Sequence, residues 1–413
     1  MAAPFSRQLR LLERAPAFRL LFLATVGSSF GTWLAAIALT VDVFDRTGSG
    51  KWVSALLVAD FLPSVLVGLL LGSLVDRLRR RGLMIGADLV RLVAFCFLPF
   101  AGSATAIVVA AAVVGLANGF FMPSVFAGLP NLVDDAELPF ANSLLQVADS
   151  ASYMAGPLIG GALVAASGPH LAYWINAATF LLSAGLLARI PAASLQAART
   201  VTQGHLADLA EGLRVVLRSR ALLTVLVAWT VAGLGSSGIN VGEVVLAKVT
   251  FGAGAFGFGV LVAGAGAGLI LGSAIVAGRL ERHGAGAIYP AALALMAIGF
   301  GAAAVAPDVW VAAACVVAGG VGNGAANVCN GVLVQRGAPD ELRGRAFATI
   351  LSFNGAARGL AMAGAGILLD RWGARWLWGG SAVLIGAAAV AGAVLVPRGT
   401  TAALAARPEE ASL

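Results

Sequence analysis

Seven ionisable side chains stand where charge is expensive. Asp42, Asp60, Asp88, Asp149 and Glu243, with Arg91 and Arg358, all fall inside long runs of apolar residues. An ionised group at the middle of a bilayer costs about 2.5–3.5 kcal/mol on insertion scales, so these residues are expected to face water or one another. Asp88 and Arg91 are three apart on one helix face, which predicts a structural ion pair. Asp42 and Glu243 lie near the ends of their stretches, where water is within reach. Asp60 sits about eight residues, or about 12 Å of helix, inside its stretch. Asp149 shares a stripe with Asn142 and Gln146 at i, i+4 and i+7. A desolvated carboxylate is cheaper neutral than charged unless a cation opposes it, so it can take up and release a proton. Asp60, Asp149, Asp42 and Glu243 are therefore candidates for proton coupling, with the two deep acids first. Arg358 has no local acid partner, which suits a counter-ion to one of them or a contact for an anionic substrate.

Amides and one aromatic supply a second kind of chemistry. Asn323, Asn327 and Asn330 form a polar stripe, Asn118 is a lone amide within an apolar stretch, and Trp33 sits in the middle of another. Buried amides either bond across helices or meet a polar substrate. An indole offers a flat face to an organic molecule.

The elements that must hold these residues are long apolar helices. The chain has 413 residues, 59% of them hydrophobic and only 11% charged, against about 25% charged in soluble domains. That excludes a soluble enzyme, a nucleic-acid binder and a disordered scaffold. A bilayer core takes about 20 apolar residues as helix. Twelve stretches qualify: 20–44, 52–75, 84–103, 104–126, 139–166, 170–189, 221–246, 255–279, 285–306, 309–334, 346–369 and 376–396. The links are short except for a polar one at 190–220. With the N-terminus inside, tails and inner loops hold 20 of the 27 Lys and Arg, and outer loops hold five, Arg46, Lys51, Lys248, Arg371 and Arg375. This asymmetry predicts that both termini are cytoplasmic. The opening stretch is longer than the core of a cleavable signal and lacks a small-residue cleavage site after it.

Other chemistries lack their motifs. Cys96, Cys315 and Cys329 sit in apolar stretches with no CxxC spacing, so neither a disulfide framework nor a metal site is expected. No GxxxxGK[ST], HExxH or GxSxG context occurs. Gly252–Gly257 matches GxGxxG but opens a membrane helix and follows no strand, so it is not a dinucleotide site. No enzyme activity, cofactor, nucleotide or nucleic-acid partner is expected. Energy must come from gradients.

The chain repeats itself. Gly72-Ser73-Leu74-Val75-Asp76-Arg77 is followed, 206 residues later, by Gly278-Arg279-Leu280-Glu281-Arg282. Ala136-Glu137-Leu138 returns as Asp340-Glu341-Leu342 at an offset of 204. The organisation read from this is an N-terminal segment (1–19), a six-helix bundle (20–189), a cytoplasmic linker (190–220), a second six-helix bundle (221–396) and a tail (397–413). Parallel six-helix halves of this kind place substrate sites near the bilayer midplane.

At these residues the sequence resembles the major facilitator superfamily. Gly72, Asp76, Arg77, Arg80 and Arg81 resemble its motif in the loop after the second span, with Arg79 where Gly is usual. Gly156-Pro157-Leu158-Ile159-Gly160-Gly161 resembles the motif of its drug–proton antiporters, without that motif's upstream glycines. Ala87–Arg91, Glu211–Arg214 and Pro339–Arg345 resemble the bacterial branch that exports siderophores and macrolides. The resemblance implies an all-α fold of twelve transmembrane helices in two pseudo-symmetric bundles, with the first, fourth, seventh and tenth spans lining the substrate cavity. It also implies a gating latch, in which Asp76 pairs near the start of the eleventh span when the cytoplasmic side is shut; Arg343 and Arg345 are the candidate partners. Small residues at i, i+4 and i+8 let helices approach closely in lipid. Gly156, Gly160 and Gly161, Gly264, Gly268 and Gly272, and Gly355 and Gly359 follow or extend that pattern, and the resemblance assigns their spans the surfaces that slide during transport. Pro157 should bend its helix.

The expected function is secondary transport. The favoured form is a proton-coupled exporter of a small, largely apolar organic compound such as a drug, siderophore or secondary metabolite, a monomer in a bacterial cytoplasmic membrane. An importer, a uniporter or a lipid flippase of the same fold fits the same residues. A non-transporting membrane sensor is the alternative from another class, but it would need a signalling domain that the sequence does not contain.

Overall fold

The computed structural model describes residues 10–70, 78–196, 205–339 and 342–396. Six long helices come first: α1 (Pro16–Thr47), α2 (Gly50–Leu70), α3 (Arg80–Phe97), α4 (Ala104–Gly128), α5 (Leu138–Ser167) and α6 (Pro169–Ala188). A shorter α7 (His205–Arg218) follows. The last six are α8 (Arg220–Val245), α9 (Gly254–Ala277), α10 (Leu280–Val305), α11 (Val309–Gly337), α12 (Arg343–Trp372) and α13 (Ala374–Leu395). No strand occurs among the described residues. Ten of the helices are long and apolar enough to cross a bilayer. The other two spans, α5 and α12, have 30 residues each. They are less apolar because they carry Asn142, Gln146, Asp149 and Arg358.

Several helices run beyond the expected bounds, and their ends are chemically marked. Ser103 caps α4 by accepting from the Ala106 N–H at 3.3 Å. Asp308 caps α11 by accepting from Trp310 and Val311 at 2.8 and 3.0 Å. Such caps satisfy amides that the helix leaves bare. Gly48 closes α1 in the left-handed region at φ 61°. The chain stays helical through Pro63, Pro123 and Pro157. In α10 the helical geometry is interrupted at Gly284, with φ 72° and ψ 151°.

The chain divides into two compact units, Met1–Thr202 with Ala253–Ala263, and Gln203–Gly252 with Gly264–Leu413. Their interiors repeat each other at an offset of 205. Gly168 turns α5 into α6 at φ 75°, and Gly373 turns α12 into α13 at φ 80°. Phe95 meets Tyr173 edge-on with ring centroids 6.2 Å apart, and Phe300 meets Trp378 edge-on at 6.0 Å.

The small residues close helix pairs within the units. A Cβ on Gly156 would stand 2.7 Å from the Trp33 Cβ, and one on Gly160 would meet the Leu34 carbonyl, so both glycines seat α5 on α1. Gly161 faces Gly259 and the Ala255 carbonyl, at the start of α9 in the same unit. Gly264, Gly268 and Gly272 lie along α11, against Ala313, Val317, Gly320 and Val321. Gly355 and Gly359 are buried on α12. Gly161 with Gly259 brings α5 against α9, the pairing of the fifth with the eighth span that the resemblance implies. Gly156 and Gly160, and Gly264, Gly268 and Gly272, meet helices of their own unit, because backbone–backbone approach holds helices together where lipid is as apolar as leucine.

The linker is not merely polar. Its α7 presents a buried Val216 and packs on α12, where a Cβ on Gly212 would meet Thr349 and the Arg345 carbonyl. Beside it, Arg345 makes an ion pair with Glu211.

Candidate functional site

The acids within the spans fall into two groups, those already tied to a cation and those that are not. Asp88 and Arg91 belong to the first. Asp88 is fully buried and Arg91 is 2% exposed. The guanidinium Nη2 donates to Asp88 Oδ1 at 2.5 Å. Ser183 Oγ of α6 donates to Asp88 Oδ2 at 2.7 Å. Arg91 Nη1 donates to Asn118 Oδ1 of α4 at 2.8 Å. The guanidinium carbon lies 4.2 Å from the Phe121 ring centre and 4.5 Å from that of Phe180. Both partners are therefore fixed by hydrogen bonds and aromatic faces, which is what a buried ion pair needs to survive desolvation. Asn118 thus braces Arg91 from α4, which is the bonding across helices that was one of its two expected roles.

Asp42 is tied as well. Arg46, one turn on, donates to it at 2.6 Å, and the Tyr173 hydroxyl donates to its second oxygen at 2.9 Å. Arg46 also donates to the Ala101 carbonyl at 2.8 Å. Asp42 is 6% exposed, so it does not simply reach water as its position near a helix end suggested. The difference arises because α1 continues to Thr47 and carries Arg46 with it. A carboxylate held by a guanidinium and a phenol is poorly placed to cycle a proton.

Asp149 is different. It is half-buried on α5, and Ser29 Oγ of α1 donates to its Oδ1 at 2.5 Å. Among the described residues no cation pairs with Asp149. One helical turn on, the same two helices place Trp33 and Tyr153 together with ring centroids 4.5 Å apart. The registers match, since Ser29 and Trp33 are four apart on α1 while Asp149 and Tyr153 are four apart on α5. The closeness of the two helices rests on Gly156 and Gly160. Asn142 and Gln146 continue the stripe as exposed side chains. Sequence reasoning singled out Asp149 and Trp33 separately and missed Ser29 and Tyr153. The i, i+4 spacing was available as a signal, but the pairing of α1 with α5 was not.

Asp60 is exposed on α2, and its backbone carbonyl lies against Gly115 of α4. It has no ion pair among the described residues. Glu243 is 7% exposed near the end of α8, just before a π-helical turn over Leu246–Thr250.

In the second unit the Asn stripe divides. Asn327 is exposed and donates to Asn323 at 3.4 Å. Asn330 is buried, at 2% exposure, and so offers no accessible amide. The stem of Arg358 packs on Gly233 of α8, and its backbone carbonyl accepts from Ser237 at 3.3 Å.

Of the latch, Gly72, Asp76 and Arg77 lie outside the described residues. The bonds of the remaining cations to described residues are these. Arg80 donates to the Ala127 and Leu195 carbonyls at 2.8 and 3.1 Å. Arg81 donates to the Ala188 carbonyl, and Arg343 to that of Gln335 at 2.7 Å. Arg345 is engaged by Glu211. Ala127, Ala188 and Gln335 end their helices, where bare carbonyls and the macrodipole favour a cation.

Comparison with known proteins places these features. The sequence profile of the transmembrane secretion effector family matches residues 11–410. An uncharacterised MFS-type transporter of Bacillus subtilis (strain 168), YfiS, is 29% identical over 356 residues, covering 83% of this chain and 84% of that protein. The multidrug efflux pump Tap of Mycobacterium tuberculosis (strain ATCC 25618 / H37Rv) is 30% identical over 52% of this chain, a match spanning 54% of that pump. The crystal structure of a POT family transporter in complex with 5-aminolevulinic acid superposes with a TM-score of 0.76 at 10% identity, covering 93% of this chain and 96% of that one. That likeness establishes the major facilitator fold.

Proposed function

Because the chain belongs to the transmembrane secretion effector family of the major facilitator superfamily, we propose that it is a proton-coupled exporter of a small, largely apolar organic compound. The family makes it a multi-pass membrane transporter of a small molecule, and not an enzyme. Its relatives include an efflux pump, which supports the outward direction. The cation asymmetry of the loops supports a bacterial cytoplasmic membrane with both termini in the cytoplasm, and we take the working unit to be one chain.

The observation that carries the coupling assignment is the state of Asp149. Asp42 and Asp88 are neutralised by arginines at 2.6 and 2.5 Å. Asp149 is half-buried on α5 with a hydroxyl donor and no ion pair among the described residues. Such a carboxyl can gain a proton from one side of the membrane and lose it to the other as access alternates. Asp60 is the second carrier candidate, since it too lacks an ion pair among the described residues. Arg358, Asn323 and Asn327 are the candidate substrate contacts in the second unit.

The test is uptake into inverted vesicles under an imposed pH gradient. Asp149→Asn should abolish gradient-driven transport while leaving substrate exchange in place, and Asp60→Asn should slow it. Unchanged gradient-driven transport in both variants would remove the assignment.

A further inference from the structure

We infer that the exposed face of α7 is a docking surface for anionic phospholipid headgroups, so that the linker helix lies on the leaflet through which α8 enters the bilayer. This holds whatever the chain transports.

Helix α7 has two unlike faces. Gly212 and Val216, four apart, are buried and seat the helix on α12, where a Cβ on Gly212 would meet Thr349 and the Arg345 carbonyl. The opposite side carries Arg214, Leu217 and Arg218, neighbours on one face at i, i+3 and i+4. All three are exposed, Leu217 to 58%. Only Ser219 separates α7 from α8, and the run from Arg220 to Thr250 is long and apolar enough to cross a bilayer. The face is thereby held at the height of the headgroups.

The charge on this face has no local answer. Arg214 and Arg218 are like charges one turn apart, a spacing at which they repel. Arg220 follows at the start of α8 and is also exposed. A Cβ on Gly337 would stand 3.0 Å from the Leu222 Cγ and 3.2 Å from the Ala221 Cβ. Arg336 and Arg220, next to these residues in the chain, therefore flank one contact of α11 with α8, and Arg336 is exposed too. Glu211, at the edge of the α7 face, is taken by Arg345. Among the described residues no acid pairs with Arg214, Arg218, Arg220 or Arg336. The helix dipole accounts for Arg218 and Arg336, which sit in last turns. It does not account for Arg214, a turn earlier, and it opposes Arg220 in the first turn of α8.

What answers this charge must be negative, extended and bordered by apolar matter, because an exposed leucine stands beside the arginines. An anionic bilayer surface meets all three conditions, with phosphates for the guanidiniums and the acyl boundary for Leu217. A soluble phosphate would serve the arginines and leave Leu217 in water.

The experiment is hydrogen–deuterium exchange of the purified full chain in nanodiscs of phosphatidylcholine alone and of phosphatidylcholine mixed equally with phosphatidylglycerol. Amides of α7 should exchange at least about fivefold more slowly with phosphatidylglycerol present, the weight of one arginine near an anionic surface. Salt at about 1 M should remove the difference, since the screening length falls there to about 3 Å. Arg214→Gln combined with Arg218→Gln should abolish it, and Leu217→Ser, which keeps the charges, should reduce it. These side chains are exposed, so the variants should keep the fold, and unchanged exchange in α3 around the buried Asp88 checks that they do. Equal exchange of α7 in the two nanodiscs overturns the proposal, as does a slowing that survives the double arginine change. Glycerol phosphate added to phosphatidylcholine nanodiscs should have no effect; an equal slowing by it would assign the face to a soluble phosphate and overturn the lipid contact.

Discussion

The two units hold the same helix arrangement together by different means. In the first, Asp88, Arg91 and Ser183 make a sealed polar network across α3 and α6, braced by Asn118 of α4. At the offset of 205 the second unit has Leu293, Met296 and Ala388, which are 2%, 3% and 0% exposed. Phe180, which stacks on Arg91, corresponds to Ile385, also fully buried. Near the neighbouring helix the second unit substitutes close approach for charge, since a Cβ on Gly322 would meet the Met296 amide and the Ala292 carbonyl. One packing problem thus has an ionic and an apolar solution in a single chain. The comparison teaches that the network is not required by the fold. Replacing a buried ion pair with apolar groups of similar volume is often neutral or stabilising, whereas removing one partner is costly.

The largest expected effect breaks that comparison directly. Arg91→Met alone strands Asp88 and should cost about 3–5 kcal/mol, read as a large fall in the unfolding temperature of the detergent-solubilised protein. The triple change Asp88→Leu, Arg91→Met and Ser183→Ala copies the second unit and should recover most of that loss. If the triple variant unfolds as readily as the single one, the two interiors are not equivalent. Next comes the end of the first unit that holds Tyr173. Tyr173 donates to Asp42 at 2.9 Å, whereas its counterpart Trp378 leaves its Nε1 without a partner among the described residues. Tyr173→Phe should therefore cost about 1.5–3 kcal/mol, the value of a hydrogen bond to a charged acceptor. The loss should be reduced in a chain that also carries Asp42→Asn, and equal losses in both backgrounds would show that the hydroxyl acts elsewhere.

Much of this was legible in the sequence. Apolar runs gave the spans because lipid leaves a backbone no choice but helix, and two short motifs gave an offset that Gly168 and Gly373, and Phe95 and Phe300, then repeat. Contacts within one helix were legible too, since a spacing of three or four fixes who meets whom; Asp88 with Arg91 is of that kind. The contacts that the sequence did not show lie between helices. Ser29 with Asp149, Ser183 with Asp88 and Asn118 with Arg91 are 120, 95 and 27 residues apart, and no local rule links such positions. The glycines are partly legible for a related reason. A small-residue stripe announces close approach but not the partner, and Gly268 approaches α11 of its own bundle. Helix α7 was read as polar linker because Asp208, Glu211, Arg214 and Arg218 interrupt an apolar run already too short to span a bilayer.

The smallest expected effect sharpens the contrast between buried and open charge. Glu211 and Arg345 join α7 to α12 in the second unit, with side chains 45% and 37% exposed, whereas Asp88 and Arg91 are 0% and 3% exposed. Water screens the open pair and also keeps each partner solvated when the other is removed. Glu211→Gln should then cost about 0.2–1 kcal/mol, and that cost should vanish in about 1 M salt, where the screening length falls to about 3 Å. The cost of Arg91→Met should be nearly indifferent to salt, because no ion reaches Asp88. Thermal unfolding of the two variants at low and high salt separates these cases. Were Glu211→Gln as damaging as Arg91→Met and equally insensitive to salt, the α7 contact would be a buried strut, and the linker helix would have to be counted among the elements that hold the second unit together.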